Sequence, residues 1–175
     1  SVKGDYVLFT GKRDGYKNFQ RFARAIAPLL TRHGLRLVCT GSPFAKDELR
    51  LLSELRIEDR CQSKFVDEAE LKRLYERALL FVFPSEYEGF GFPILEAFAS
   101  RCPIALSDAS CFPEIAKDAG AYFDPKDEES IRTVIESLLL SESERKALTE
   151  KGAARIKDFS WSRAVDVLME TYKGI

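Results

Sequence analysis

The stretch Phe81-Val-Phe-Pro-Ser-Glu-Tyr-Glu-Gly-Phe-Gly-Phe-Pro-Ile-Leu-Glu96 decides how the chain is read. Its apolar start, Leu79 to Phe83, has the composition of a buried strand. A polar, glycine-punctuated loop follows. Pro93 then opens a helix, since a proline at the first helical position gives up only an amide that has no intrahelical partner. Strand, loop and helix in that order put the loop at one rim of a sheet. Two carboxylates, Glu88 and Glu96, bracket the turn, and the amides of Gly89, Phe90, Gly91 and Phe92 lie between them with no side-chain bulk at the two glycines. The arrangement suits an anion flanked by hydroxyls. On this local pattern alone, a plain strand-to-helix connection with two surface glutamates accounts for the residues equally well.

Outward from that stretch, short apolar runs alternate with helical periodicity. Tyr6 to Thr10 is a β-rich run followed by a turn from Gly11 to Gly15. Phe19, Phe22, Ala23, Ile26, Leu29 and Leu30 recur at helical spacing up to Gly34, with Pro28 expected to kink or break that helix. Leu35 to Thr40 reads as a second strand ending at Gly41-Ser-Pro43, a charged helix runs from about Ala45 to Leu55, and a weak third strand lies near Cys61 to Val66. Asp67 and Glu70 form a capping box for a helix that turns Leu71, Leu74, Tyr75 and Ala78 inward. After the opening stretch come a helix to about Ser100, a strand at Pro103 to Leu106, a short helix entered at Pro113 and a strand at Ala121 to Phe123. Helices follow from Asp127, from a second capping box at Ser141 and Glu144, and from Ser160, the last carrying Trp161, Ala164, Val165, Leu168 and Tyr172.

Strands that are unbroken apolar runs, alternating with helices, imply a Rossmann-like three-layer α/β/α domain with a parallel sheet of about six strands. Ligands on such sheets bind outside the carboxyl ends of the strands. That rule gathers the loops at Gly11 to Lys17, Gly41 to Pro43, Phe65 to Asp67, Pro84 to Phe92 and Ser107 to Pro113 onto one edge.

The 175 residues suit one domain with a full core, and no apolar run approaches the roughly 20 residues that a membrane helix needs. A net charge of −1 gives no case for nucleic acid as a partner. Its distribution is uneven, because residues 1–36 hold eight Lys or Arg against two acids. Most of these solvate a helix face, whereas Arg13 and Lys17 sit in a loop and at a helix start, where a cation does not help the helix dipole. Four cysteines without CxxC spacing read as reduced structural thiols of a cytoplasmic protein, and a chain with one histidine, His33 at a helix C-terminus, is not expected to hold a metal.

Two cations, free amides and two carboxylates on one edge fit a ligand that carries both a diphosphate and hydroxyls. The run Pro84 to Ala97 closely resembles the Glu-x7-Glu signature of retaining glycosyltransferases of family 4, glycosyl transferases group 1. The resemblance extends to Gly11 to Phe19, Leu71 to Ala78, Pro113 to Ala119 and Tyr122 to Pro125, in order and over nearly the whole chain. It implies one half of a GT-B fold, the C-terminal donor-binding domain. The N-terminal acceptor domain, against which the last helix would pack, is expected to be absent from this chain.

By the same resemblance, Arg13 and Lys17 would bind the donor diphosphate, Glu88 would face the donor sugar with the amides of Gly89 to Phe92 beside it, Glu96 would accept the ribose diol, and Phe65 and Val66 would meet the base. The reaction implied is transfer of a hexose such as mannose or glucose from a nucleotide sugar to a glycan or lipid-linked acceptor, with retention, without an essential metal or another cofactor, in the cytoplasm or at the cytoplasmic membrane face. A non-catalytic nucleotide-sugar-binding or scaffolding domain is the alternative. An epimerase or phosphorylase would want more acid–base equipment than one histidine supplies. The family often has glycine where this chain has Lys64, Arg101 and Lys117, and Arg101 falls where a left-handed residue is expected to end the motif helix.

Overall fold

A computed structural model describes residues 6–159, so the helix expected from Ser160 with Trp161 lies outside the described residues. Among the described residues six strands form one sheet: β1 (Tyr6–Phe9), β2 (Arg36–Thr40), β3 (Cys61–Lys64), β4 (Leu80–Phe83), β5 (Ile104–Ser107) and β6 (Ala121–Phe123). Their order is β3-β2-β1-β4-β5-β6, and every neighbouring pair is parallel. The connecting helices are α1 (Phe19–His33), α2 (Lys46–Glu54), α3 (Glu68–Arg77), α4 (Phe92–Ala99), α5 (Phe112–Ala116), α6 (Glu128–Leu140) and α7 (Glu142–Arg155).

Why the strands read as apolar runs is visible in the packing. Successive strand residues point to opposite faces, and here both faces are covered. Val7, Phe9, Leu37, Cys39, Leu80 and Val82 belong to one core with residues of α1, α2 and α6. Tyr6, Leu8, Val38, Phe81, Phe83, Ile104 and Leu106 belong to the other, with residues of α3, α4 and α5. Aromatic rings fill each core: Phe9 meets Phe19 edge-on at 5.4 Å, and Phe83 lies 4.9 Å from Phe112.

Local chemistry modifies several expectations. α1 runs unbroken through Pro28. That proline is on the exposed side, where water can satisfy the carbonyl it leaves without a partner. α4 begins one residue before the expected proline, with Gly91 as its N-cap at φ 80°. A Cβ there would also crowd Ile94 Cδ1 at 3.1 Å, so glycine is favoured on two counts. The capping boxes form only half. Asp67 accepts from the Glu70 amide at 2.7 Å and Ser141 from the Glu144 amide at 3.2 Å. The glutamates do not reach back, because Glu70 pairs with Lys64 and Glu144 accepts from Ser137.

Of Lys64, Arg101 and Lys117, the three residues where the resemblance leads one to expect glycine, two adopt a positive φ. Arg101 has φ 55° and Lys117 φ 49°, whereas Lys64 lies in extended β3. Arg101 closes α4 in a Schellman turn, its amide donating to Phe98 O at 3.1 Å and the Cys102 amide to Ala97 O at 2.9 Å. The turn is complete but strained by its side chain. Arg101→Gly should therefore raise unfolding stability in urea by about 0.5–1 kcal/mol without changing the fold.

Candidate functional site

β1 and β4 are neighbours at the centre of the sheet, and the strand order runs away from them in opposite directions. The crevice between their carboxyl ends is therefore the topological switch point, where ligands of such sheets bind. The chain leaving β1 turns at Gly11, passes through a short 3-10 turn at Gly15–Lys17 and enters α1 through Asn18, whose φ is 60°. Asparagine tolerates that left-handed conformation, and its side chain serves a second purpose here. Asn18 Nδ2 donates to Pro84 O at 3.1 Å and to Pro125 O at 2.7 Å. One buried amide thus ties the β1, β4 and β6 loops together. The Glu86 amide, donating to Tyr16 O at 2.8 Å, fastens the first two again.

That fastening sets Lys17 against Glu88. Their Nζ and Oε1 atoms are 2.5 Å apart, with side chains only 15% and 14% exposed. The ammonium also lies 5.7 Å from the centre of the Phe83 ring. Charges this sheltered keep much of their mutual attraction, while each loses hydration.

Arg13 does not converge on this pair. Its side chain is buried and turned toward α2, with Nε 2.9 Å from Glu48 Oε1 and Nη2 donating to Ser42 O at 2.6 Å and Pro43 O at 3.0 Å. The guanidinium also stands 4.8 Å from the Phe44 ring centre. Glu48 completes the network by accepting from the Ala45 amide at 2.7 Å. Arg13 thereby fixes the loop after β2 beside the loop after β1. The neighbouring Lys12 is exposed. Together with Gly11, Gly41, Ser42, Pro43 and Phe65 it lines an open recess of about 490 Å³ on the same edge.

Glu96 occupies a separate place, exposed on α4 and accepting from Tyr75 Oη at 3.1 Å. Burial pushes the Tyr75 phenol well above its ordinary value of 10.0, so it stays a donor at neutral pH. Tyr75 Oη is also 3.4 Å from Thr10 Oγ1 at the end of β1. Glu96 and Tyr75 border a recess of about 360 Å³ between α3 and α4, which Leu71 and Ser100 also line. Between the two acids, the amides of Gly89, Phe90, Gly91 and Phe92 have no protein acceptor among the described residues. Phe65 is 72% exposed, while Val66 packs partly into the second core. A larger recess of about 640 Å³, bordered by Arg13, Arg21, Glu48 and Glu86, lies alongside without reaching Lys17, Glu88 or Glu96.

Cys39, Cys61 and Cys102 carry thiols raised by burial, the last two to about 12. His33 Nε2 stands 3.7 Å from Glu136, which also pairs with Arg32. Among the described residues no group of three His, Cys, Asp or Glu side chains is placed to hold a metal, and no helix is long and apolar enough to cross a membrane. Sequence reasoning missed Asn18, Glu48 and Tyr75 as organisers of the site. Asn18, directly after Lys17, was the one with a local signal, a turn-prone residue between a glycine turn and a helix.

Comparisons with known proteins bear on the family and the fold. The chain is 33% identical over 173 residues to the O-antigen chain mannosyltransferase B of Escherichia coli, covering 96% of this chain and 45% of that relative. It is 32% identical over 139 residues to the O-antigen chain mannosyltransferase RfbU of Salmonella typhimurium, covering 78% of this chain and 39% of the relative. The chain thus spans under half the length of these curated relatives. Among solved structures, the sucrose-phosphate synthase of Thermosynechococcus elongatus superimposes with a TM-score of 0.81 at 22% identity, covering 97% of this chain and 45% of that one. The shared architecture is the Rossmann-like half of a GT-B fold. Residues 1–155 match the model of the family described as glycosyl transferases group 1, and the chain belongs to that family.

Proposed function

We propose that this chain is the donor-binding half of a retaining glycosyltransferase that moves a hexose from a nucleotide-diphosphate sugar to a glycan or lipid-linked acceptor. The Lys17–Glu88 contact at the switch point carries the reading. Without a ligand, two sheltered opposite charges hold each other. An anion alone would draw off Lys17 and leave Glu88 facing it without a cation, and a neutral sugar alone would leave Lys17 unmatched. A sugar diphosphate offers each group a partner: phosphate oxygens for the ammonium, hydroxyls for the carboxylate.

The same placement suits the chemistry. As the bond from the anomeric carbon to the diphosphate breaks, negative charge grows on the leaving group, so contacts from Lys17 and from the amides of Gly89 to Phe92 strengthen along the reaction. Glu88, on the sugar side, would favour the positive character developing at the anomeric carbon. Glu96, held by Tyr75, would accept the ribose diol, and Phe65 and Val66 would border the base. Arg13 would act through the loops it fixes, not on the diphosphate itself, because Glu48 and two carbonyls already engage it.

Relatives named as mannosyltransferases support mannose as the sugar, and the O-antigen in two of their names supports a place in polysaccharide assembly. The proposed location is the cytoplasm or the cytoplasmic face of a membrane. Acceptor contacts would come from a second domain. With a cation and amides at the diphosphate, transfer is expected to continue in a chelator.

Calorimetry with GDP, UDP and ADP and their sugar conjugates tests the reading. The chain should bind at least one pair, and Lys17→Ala should weaken that binding about tenfold or more. No heat with any of them at millimolar concentration would overturn it. In the full-length protein, Glu88→Ala should lower transfer about 100-fold or more. Arg13→Ala should instead appear in urea denaturation, destabilising the fold by about 3 kcal/mol as Glu48 loses its cation and two carbonyls lose their donor.

A further inference from the structure

Glu88 belongs to a loop with glycine on its C-terminal side, and a carboxylate on such a loop needs its backbone fixed if it is to face one part of a ligand. The residue that fixes it comes from the next strand connection. Ser110, in the turn between β5 and α5, accepts from the Glu88 amide at 3.1 Å and donates to Glu88 O at 2.9 Å through the same hydroxyl. Cys111 Sγ adds a weaker contact to Glu88 O at 3.5 Å. The peptide groups on both sides of the Glu88 Cα are thereby held by one turn.

Two further observations distinguish this clamp from a chance surface contact. Ser110 adopts φ 56°, a left-handed conformation that glycine would adopt with less strain. Glycine, however, could make neither bond. Strain kept at a residue that touches a site points to a role in that site. Phe112, two residues later, is fully buried, lies 4.9 Å from Phe83 of β4 and sits against Gly91, where an added Cβ would approach its ring to 3.4 Å. The turn is thus anchored in the core immediately beyond the clamp, so Ser110 can transmit that rigidity to Glu88.

We infer that Ser110 is a positioning residue that sets the Glu88 carboxylate toward the sugar of the donor. The inference rests on the donor-binding reading above, but its first part does not depend on any ligand.

Ser110→Gly and Ser110→Ala test it together. Both remove the hydroxyl, while glycine also relieves the left-handed strain. Amide hydrogen exchange on the free chain should be faster at Glu88 in both variants and little changed at the Lys17 amide, which donates to Asp14 O. Unchanged exchange at Glu88 would overturn the clamp whatever the protein binds. Calorimetry then compares a nucleoside diphosphate with its sugar conjugate, using the pair that the wild-type chain binds. Both variants should weaken the sugar conjugate about five- to tenfold and leave the bare diphosphate within about twofold. Glu88→Ala marks the full loss of that difference. If Ser110→Gly keeps the wild-type ratio, or if both ligands weaken equally, Ser110 supports the fold and does not position Glu88. A wild-type chain that binds no nucleotide overturns the sugar-directed role together with the donor-binding reading, and hydrogen exchange at Glu88 then decides the clamp by itself.

Discussion

A parallel sheet with both faces packed has no face to offer a ligand, so its chemistry must be placed at an edge. Here the central strands β1 and β4 are wholly buried, with hydrophobic cores on either side of them. Backbone near them can meet solvent in the loops at their ends, and the reversal of strand order between them separates those loops into a crevice. Everything proposed for Lys17, Glu88 and Glu96 follows from that constraint. Lys17 comes from the first wall of the crevice and Glu88 from the second, so their contact spans the place where a ligand would enter.

A sheltered ion pair of this kind is weak evidence for stability, since the attraction is set against two lost hydration shells. On the proposed reading, the pair exchanges partners when the donor binds. The surroundings are built to hold its geometry. Of the five non-glycine residues with positive φ among the described residues, Asn18 and Ser110 both bond the backbone of the β4 loop directly. Asn18 holds the loop's base through Pro84 O, and Ser110 holds its middle through Glu88. The loop that carries the acid is thus tied at two points four residues apart.

Much of this is legible in the sequence, because fold depends on patterns that are local. Apolar runs locate five of the six strands among the described residues to within a residue, the polar edge strand β3 reads only weakly near Cys61 to Val66, and the carboxyl-edge rule then puts the loops that carry Lys17 and Glu88 on one edge. Even the left-handed Arg101 is readable from the helix that it ends. Pro28 misleads because its effect depends on which side of α1 it occupies, and on the exposed side the helix continues. The capping boxes mislead because a glutamate can find Lys64 or Ser137 as well as a backbone amide. Arg13 is the instructive case. Its partner Glu48 is 35 residues away in a helix whose sequence is charged on several sides, and nothing in that pattern says which acid turns inward. Pairing over such separations is decided by packing, which sequence periodicity does not encode.

The three residues that stand where the resemblance leads one to expect glycine bear on whether the domain acts or only supports. Arg101 lies at the C-terminus of α4, the end opposite the acid-bearing turn, and Lys117 lies between α5 and β6, where its carbonyl accepts from Tyr122 Oη at 2.5 Å. Lys64, the one nearest the recess edged by Phe65, is extended and neutralised by Glu70. The strain at Arg101 and Lys117 therefore falls on the scaffold, in turns that close helices, away from the crevice that holds Lys17 and Glu88. A purely structural role would require the sheet and its two cores, which tolerate such strain. It would not require a sheltered lysine and glutamate set face to face in the crevice, with a strained serine bonding both sides of the glutamate's backbone. On the proposed donor-binding reading, those features are concentrated where a sugar diphosphate would be held, which is what a catalytic role asks for and a scaffold does not.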